Sequence, residues 1–122
     1  MKSKLHSQVF LLLKEIYPGN NLIQEYSYSK LLNKRSNPLL ISVSKRYHVD
    51  IYDMTLGIIY EIQGEQHISV VEFFGGEEAF YSQKKRDDIK RQIAIESNKK
   101  MVEIPYDIKL TKENLLSLIL ES

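Results

Sequence analysis

Asp50, Glu61, Gln63 and His67 are the residues of this chain whose types and spacing could do chemistry, the last three within "YEIQGEQH". Ten residues separate Asp50 from Glu61. A hairpin turning near Met54 to Leu56 sets the two acids opposite each other, with cross-strand Cβ atoms about 5 Å apart. Carboxylates that close repel, and one takes up a proton unless a cation neutralises both. A hard divalent ion suits such a place, because it accepts one or two carboxylates, amide or backbone oxygens and retained waters. Side chains alternate across a strand, so Gln63 shares the face of Glu61 and offers an amide oxygen. Gly64 lets the chain turn, and His67 follows as a candidate general acid or base near neutral pH. The plain alternative is a solvent-facing strand edge whose acids keep it from pairing with other chains.

A second group lies in "KKRDDIKR". Asp87 and Lys90 are three apart and share a helix face, with Lys84 on the same side and Arg86 and Arg91 flanking. Lys90 is a candidate cation for charge developing on a phosphate, and Asp87 a candidate to orient His67 or to bind metal. On an exposed helix the same two residues form an ordinary ion pair of little energetic weight.

The elements that must position these groups follow from pattern. Leu5, Val9, Leu12, Leu13 and Ile16 recur near the helical period, and "PGN" ends that helix. "NLIQEYSYSKLL" reads as a strand turning helical near Lys30, and "NKRSNP" as a loop. "LLISVSKRYHVDIYD" has the β-branched and aromatic content of one or two strands. "DMTLG" turns into "IIYEIQ", giving a hairpin. After "FFGG", the acids Glu77 and Glu78 suit the start of a long helix running to about Asn98. "KKMVEIPY" is a short strand, and Thr111 caps a last helix with Leu115, Leu116, Ile119 and Leu120 on its apolar side. The expected architecture is α/β, a mixed sheet with helices on its faces.

At 122 residues the chain fits one domain, 1–122, with a single core. No apolar run approaches the roughly 20 residues of a membrane span, and Lys14 and Glu15 break the first apolar stretch, which reads as a helix rather than a signal peptide. The absence of cysteine excludes disulfides and thiolate chemistry and suits a cytoplasmic setting. A net charge of +1 does not mark a nucleic-acid binder, but the basic residues are clustered. Lys34 and Arg35 in "NKRS", and Lys84, Lys85, Arg86 and Arg91 in the later run, are candidates to attract phosphate locally.

The set "HVDIYD…GIIYEIQGEQH…FFGGEEAF…KRDDIKRQIAIESNKKMVEIPY" resembles the PD-(D/E)XK nuclease superfamily over about residues 46 to 107. Within it the likeness is to the branch of the very-short-patch-repair endonuclease and phage homing endonucleases. The resemblance implies a restriction-endonuclease-like sheet and Mg²⁺- or Mn²⁺-dependent hydrolysis of DNA phosphodiesters in a bacterial host cytoplasm. It places Asp50 at the first acid and Glu61 at the second. His67 takes the position of the branch's histidine, and Asp87 and Lys90 its helix motif, while Glu25 in "IQEYS" corresponds loosely to an early acid. Gln63 departs from the pattern, which has lysine or an acid there, so either Lys90 supplies the cation from the helix, His67 acts as the base, or the site is degenerate.

The expected partner is DNA, held through phosphates rather than read by sequence. Target choice would then come from "SYSKLLNKRSNPLL", from a homodimer or from an accessory partner. Two other functions compete with cleavage. One is a non-catalytic nucleic-acid-binding module on the same fold. The other is a protein-interaction domain anchored by Tyr26, Tyr28, Tyr47 and Tyr52, taken as exposed.

Overall fold

A computed structural model describes residues 3–64 and 76–122, with backbone alone for 76–81. Helix α1 (Lys4–Ile16) begins where the Ser3 hydroxyl accepts the His6 amide. Strand β1 (Leu22–Ser27) runs into a single 3₁₀ turn at Tyr28–Leu31. Strands β2 (His48–Asp53) and β3 (Ile58–Ile62) form the hairpin that alternation and "DMTLG" require. Gly57, at φ +68°, supplies the left-handed residue that closes its turn. Helix α3 (Gly76–Glu96), strand β4 (Lys100–Ile104) and helix α4 (Lys112–Glu121) complete the order.

One helix was not expected. Leu39 to Ser44, read as strand from their composition, belong to α2 (Pro38–Ser44). Asn37 caps it, its side-chain oxygen accepting the amides of Leu39 at 2.8 Å and Leu40 at 3.4 Å, and Pro38 fills the first turn where no amide is needed. Those local signals outweigh β propensity, so only His48–Asp53 remains strand from that stretch.

The four strands form one mixed sheet in the order β1-β2-β3-β4. The first two pairings are antiparallel, and β3 and β4 run parallel with Glu61 beside Glu103. Helices α1 and α4 cover one face, where Val9, Leu13, Leu115 and Ile119 pack on Ile51, Ile58, Tyr60, Val102 and Ile104. On the other face α2, the 3₁₀ turn and α3 bring Leu40, Tyr28, Ile93 and Ala94 onto Val49, Tyr52 and Ile59. Each fully buried side chain such as Ile51 or Ile59 contributes about 2 kcal/mol by leaving water. The alternation expected of β3 holds, with Ile58, Tyr60 and Ile62 toward α1 and Ile59 toward α3.

The tyrosines taken as an exposed anchor are instead structural. Tyr28 and Tyr52 are buried, and Tyr26 and Tyr47 are half-buried. Tyr26 stacks on Tyr52 with ring centroids 4.9 Å apart. Their apolar rings are worth more against the sheet than in water. Among the described residues, no helix is long and apolar enough to cross a membrane.

Candidate functional site

The β2–β3 ladder runs from Asp53–Ile58 to Ile51–Tyr60 and stops. One step further the same register would pair Asp50 with Glu61, and there the two side chains take over from the backbone. The Asp50 amide donates to Glu61 Oε2 at 3.0 Å, and the Ile62 amide donates to Asp50 Oδ2 at 2.8 Å. Each acid thus satisfies an amide that the ladder leaves unpaired at the point where it ends. Sequence spacing correctly set these acids opposite each other, but not this exchange of partners.

Helix α3 lies over this end of the sheet. Lys90 Nζ donates to Glu61 Oε1 at 2.9 Å, and both side chains are more than four-fifths buried. Arg91 Nη2 meets Glu103 at 2.6 Å and Arg91 Nη1 meets Asp88 at 3.1 Å. Neighbouring acids of the parallel pair are therefore each matched by a consecutive cation of α3. Asp87 accepts from Gln83 Nε2 at 3.1 Å on the same helix face.

Burial dominates the electrostatics. It pushes the Glu61 carboxyl up to about 7, with the Asp50 charge adding to the effect and Lys90 offsetting only part of it. Asp50 is also raised by burial, against the pull of the Ile62 amide and Lys90. Burial alone would lower Lys90, but the charge and hydrogen bond of Glu61 outweigh it and hold the ammonium protonated. Burial, with the nearby Glu61 carboxylate adding to it, keeps the buried Tyr28 hydroxyl a neutral phenol.

Asp50, Ile62 and Gln63 line two cavities at once. The first, of about 160 Å³, lies on the α3 side and includes Glu61, Asp87, Lys90 and Glu103. The second, of about 370 Å³, lies on the α1 side and includes His6, Glu25 and Tyr106. Glu25 stands opposite Asp50 in the β1–β2 register, yet the paired positions skip from Gln24–Ile51 to Tyr26–Val49. Glu25 itself is left-handed at φ 57°, a conformation that costs a non-glycine residue about 1–3 kcal/mol. Ile51 packs with the α1 cluster and Val49 with the Tyr52 cluster, so strict alternation fails at the acid between them.

Asp50, Glu61, Gln63, Asp87 and Lys90 are thus brought around one cavity. His67 lies outside the described residues. Lys84, Lys85 and Arg86 are exposed along α3, and Lys34 and Arg35 are exposed in the loop before α2. Arg91 is placed with them by the chain but is committed to Glu103 and Asp88. Sequence reasoning missed His6 altogether. It is a lone histidine on an amphipathic helix, and only the docking of α1 brings it to Asp50. Its one local signal is a polar residue on the helix stripe that buries Val9 and Leu13.

The chain is similar to two viral proteins. It is 36% identical to uncharacterized protein 033L of Invertebrate iridescent virus 3 over 64 residues, 52% of this chain and 33% of that protein. It is 34% identical to uncharacterized protein 307L of Invertebrate iridescent virus 6 over 62 residues, 50% of this chain and 32% of that protein. The matched region thus spans about a third of the length of these curated relatives. No protein-family model matches the chain, and no solved structure does.

Proposed function

We propose that this domain hydrolyses DNA phosphodiester bonds with the aid of a divalent cation held at Asp50. The observation that carries the reading is the end of the β2–β3 ladder, where two half-buried acids and a half-buried lysine converge on one cavity. Asp50 fits a cation ligand. Its Oδ2 takes the Ile62 amide, while Oδ1 makes no hydrogen bond to any described residue. Gln63 lines the same cavities and offers an amide oxygen. The PD-(D/E)XK resemblance supports the same residues in the same roles, and Mg²⁺ or Mn²⁺ as the ion.

When bound, such an ion polarises the scissile phosphate and makes a water more acidic. The chain supplies the rest. Lys90 is held protonated beside the cavity and is placed to meet negative charge on a phosphoryl oxygen. Lys84, Lys85 and Arg86 present a basic run on exposed turns of α3, suited to backbone phosphates.

One observation favours a second reading, a nucleic-acid-binding module that does not cut. Both Glu61 oxygens are engaged, one by Lys90 and one by the Asp50 amide, so the second acid has no lone oxygen to offer without rearrangement. Incubation with supercoiled, linear and single-stranded DNA separates the two, with Mg²⁺, Mn²⁺ or EDTA and with Asp50→Ala in parallel. A nuclease cuts only with the ion, and Asp50→Ala lowers the rate by about a hundredfold or more while DNA affinity is retained. Failure to cut any DNA with any ion, or equal cutting by the variant, overturns the catalytic reading. Affinity that falls steeply with salt while nothing is cut supports the binding module.

A further inference from the structure

We propose that the cation partner of Asp50 lies on the α1 side, at a His6–Glu25–Asp50 site selective for transition-metal ions over Mg²⁺. One imidazole nitrogen of His6 and one carboxylate oxygen each of Glu25 and Asp50 lie within 4.8 Å of one another. The three come from α1, β1 and β2, elements far apart in sequence that only the folded sheet brings together.

Clustered acids alone would not make a site, and the histidine is the independent observation. His6 is 4% exposed, and its Nε2 is buried without a hydrogen-bond partner among the described residues. A buried, unsatisfied polar nitrogen is costly and calls for a partner. His6 sits beside a cavity of about 370 Å³ that also reaches Asp50 and Glu25, so there is room for an ion and its waters. Glu25 is exposed, and its carboxylate makes no hydrogen bond or ion pair with a described residue. Its left-handed backbone interrupts the β1–β2 pairing opposite Asp50, which is strain placed where a ligand would need to turn.

The α3 side is less suited to an ion. There Lys90 already neutralises Glu61, and a second cation would face an ammonium across the cavity. On the α1 side two carboxylates face one imidazole and no lysine or arginine lines the cavity among its described residues. Three protein ligands with open positions are the pattern of catalytic rather than closed structural sites. Bonds of about 2.1 Å would draw the ligand atoms to roughly 3 Å from one another, a contraction that the exposed Glu25 side chain is free to make. Imidazole favours later first-row ions such as Co²⁺ and Zn²⁺, whereas Mg²⁺ prefers an all-oxygen shell.

What the ion does rests on the hydrolytic reading above, but whether it binds does not. The test therefore measures binding without DNA. Apo protein is titrated with Co²⁺ and followed by visible absorption, with Mg²⁺ titrated separately by calorimetry. The expected result is one Co²⁺ per chain, bound at least about tenfold more tightly than Mg²⁺. His6→Ala and Glu25→Gln should each weaken Co²⁺ at least about tenfold, since even groups one step beyond a ligand are worth that much. Glu25→Gln alters an exposed side chain, so it keeps the test valid if His6→Ala does not fold. Glu103→Gln, in the other cavity, should leave Co²⁺ affinity unchanged. Absence of a Co²⁺ spectrum, or equal loss in Glu103→Gln and Glu25→Gln, overturns the site. Tight Co²⁺ binding without DNA cleavage leaves the site standing and overturns the hydrolytic reading alone.

Discussion

The β2–β3 hairpin carries acids at both ends, buried at one and half-buried at the other, and the two ends treat them in opposite ways. At the turn, Asp53 is fully buried and accepts from Asn20 Nδ2 at 2.8 Å on one oxygen and from the Leu56 amide at 2.9 Å on the other. Its own carbonyl accepts the Gly57 amide, so the whole residue is used in closing the turn. At the far end, Asp50 and Glu61 each satisfy one amide and then border open cavities. Burial raises both, and the charge of Glu61 is matched by a lysine from another layer. Burial of a carboxylate therefore does not by itself mark function. What separates the ends is whether the acid is enclosed with its donors, as Asp53 is, or borders a cavity where something else fits, as Asp50 and Glu61 do.

Substitution at the turn should produce the largest change in stability. Asp53→Ala leaves the Leu56 amide and the Asn20 side chain without their acceptor, and hydrogen bonds to a charged group are worth about 1.5–3 kcal/mol each. A loss of about 3 kcal/mol is expected in urea unfolding, with Co²⁺ affinity of the folded protein unchanged. Asp50→Ala should fall within about 1 kcal/mol of the parent, because the lost amide contact is offset by relief of a desolvated charge. If Asp50→Ala proved the more destabilising of the two, the contrast between the ends would fail.

The middle-sized effect tests the neutralisation of Glu61. Lys90→Met removes the cation from a mostly buried pair; losing one partner of a fully buried pair costs about 3–5 kcal/mol, and the residual exposure of this one reduces that wherever Glu61 is ionised. Loss of the lysine also removes the main influence holding the Glu61 carboxyl down, so it rises further above 7. The variant should therefore be much less stable than the parent at pH 8 and close to it at pH 6, where Glu61 takes up a proton. A penalty independent of pH would mean that Lys90 acts through packing on Tyr28, whose ring centroid lies 5.8 Å from its ammonium, rather than through charge.

The turn end of the hairpin was more legible in the sequence than the open end, for a physical reason. A tight turn is a local event, and Gly57 with flanking alternation announces it, as Thr111 announces α4 by capping the Asn114 amide. The pairing of Asp50 with Glu61 was readable because hairpin register is arithmetic once the turn is placed. The helix α2 was obscured because β-branched residues speak louder in composition than a single Asn-Pro start. His6 and the left-handed Glu25 were not readable as one site, because helix docking and a single left-handed residue leave no periodic trace. The tyrosines failed as a surface patch for a related reason: aromatic content does not say which face of the sheet a helix will cover.

The smallest effect is also the most specific. Glu61 is raised in the folded protein above its ordinary value of 4.5, to about 7. Between those values the folded state binds more protons than the unfolded state, so stability falls as pH rises through that window. Glu61→Gln removes this titrating group while keeping a hydrogen-bond acceptor for Lys90. At pH 8 the net change should stay within about 1 kcal/mol, since the lost ion pair is balanced by the neutral side chain's lower desolvation cost. The informative quantity is the slope. Urea midpoints of the parent should decline from pH 5 to pH 7 more steeply than those of Glu61→Gln. Equal slopes in the parent and Glu61→Gln would show that the open end holds its acid no differently from an exposed one, and the distinction between the two ends would rest on geometry alone.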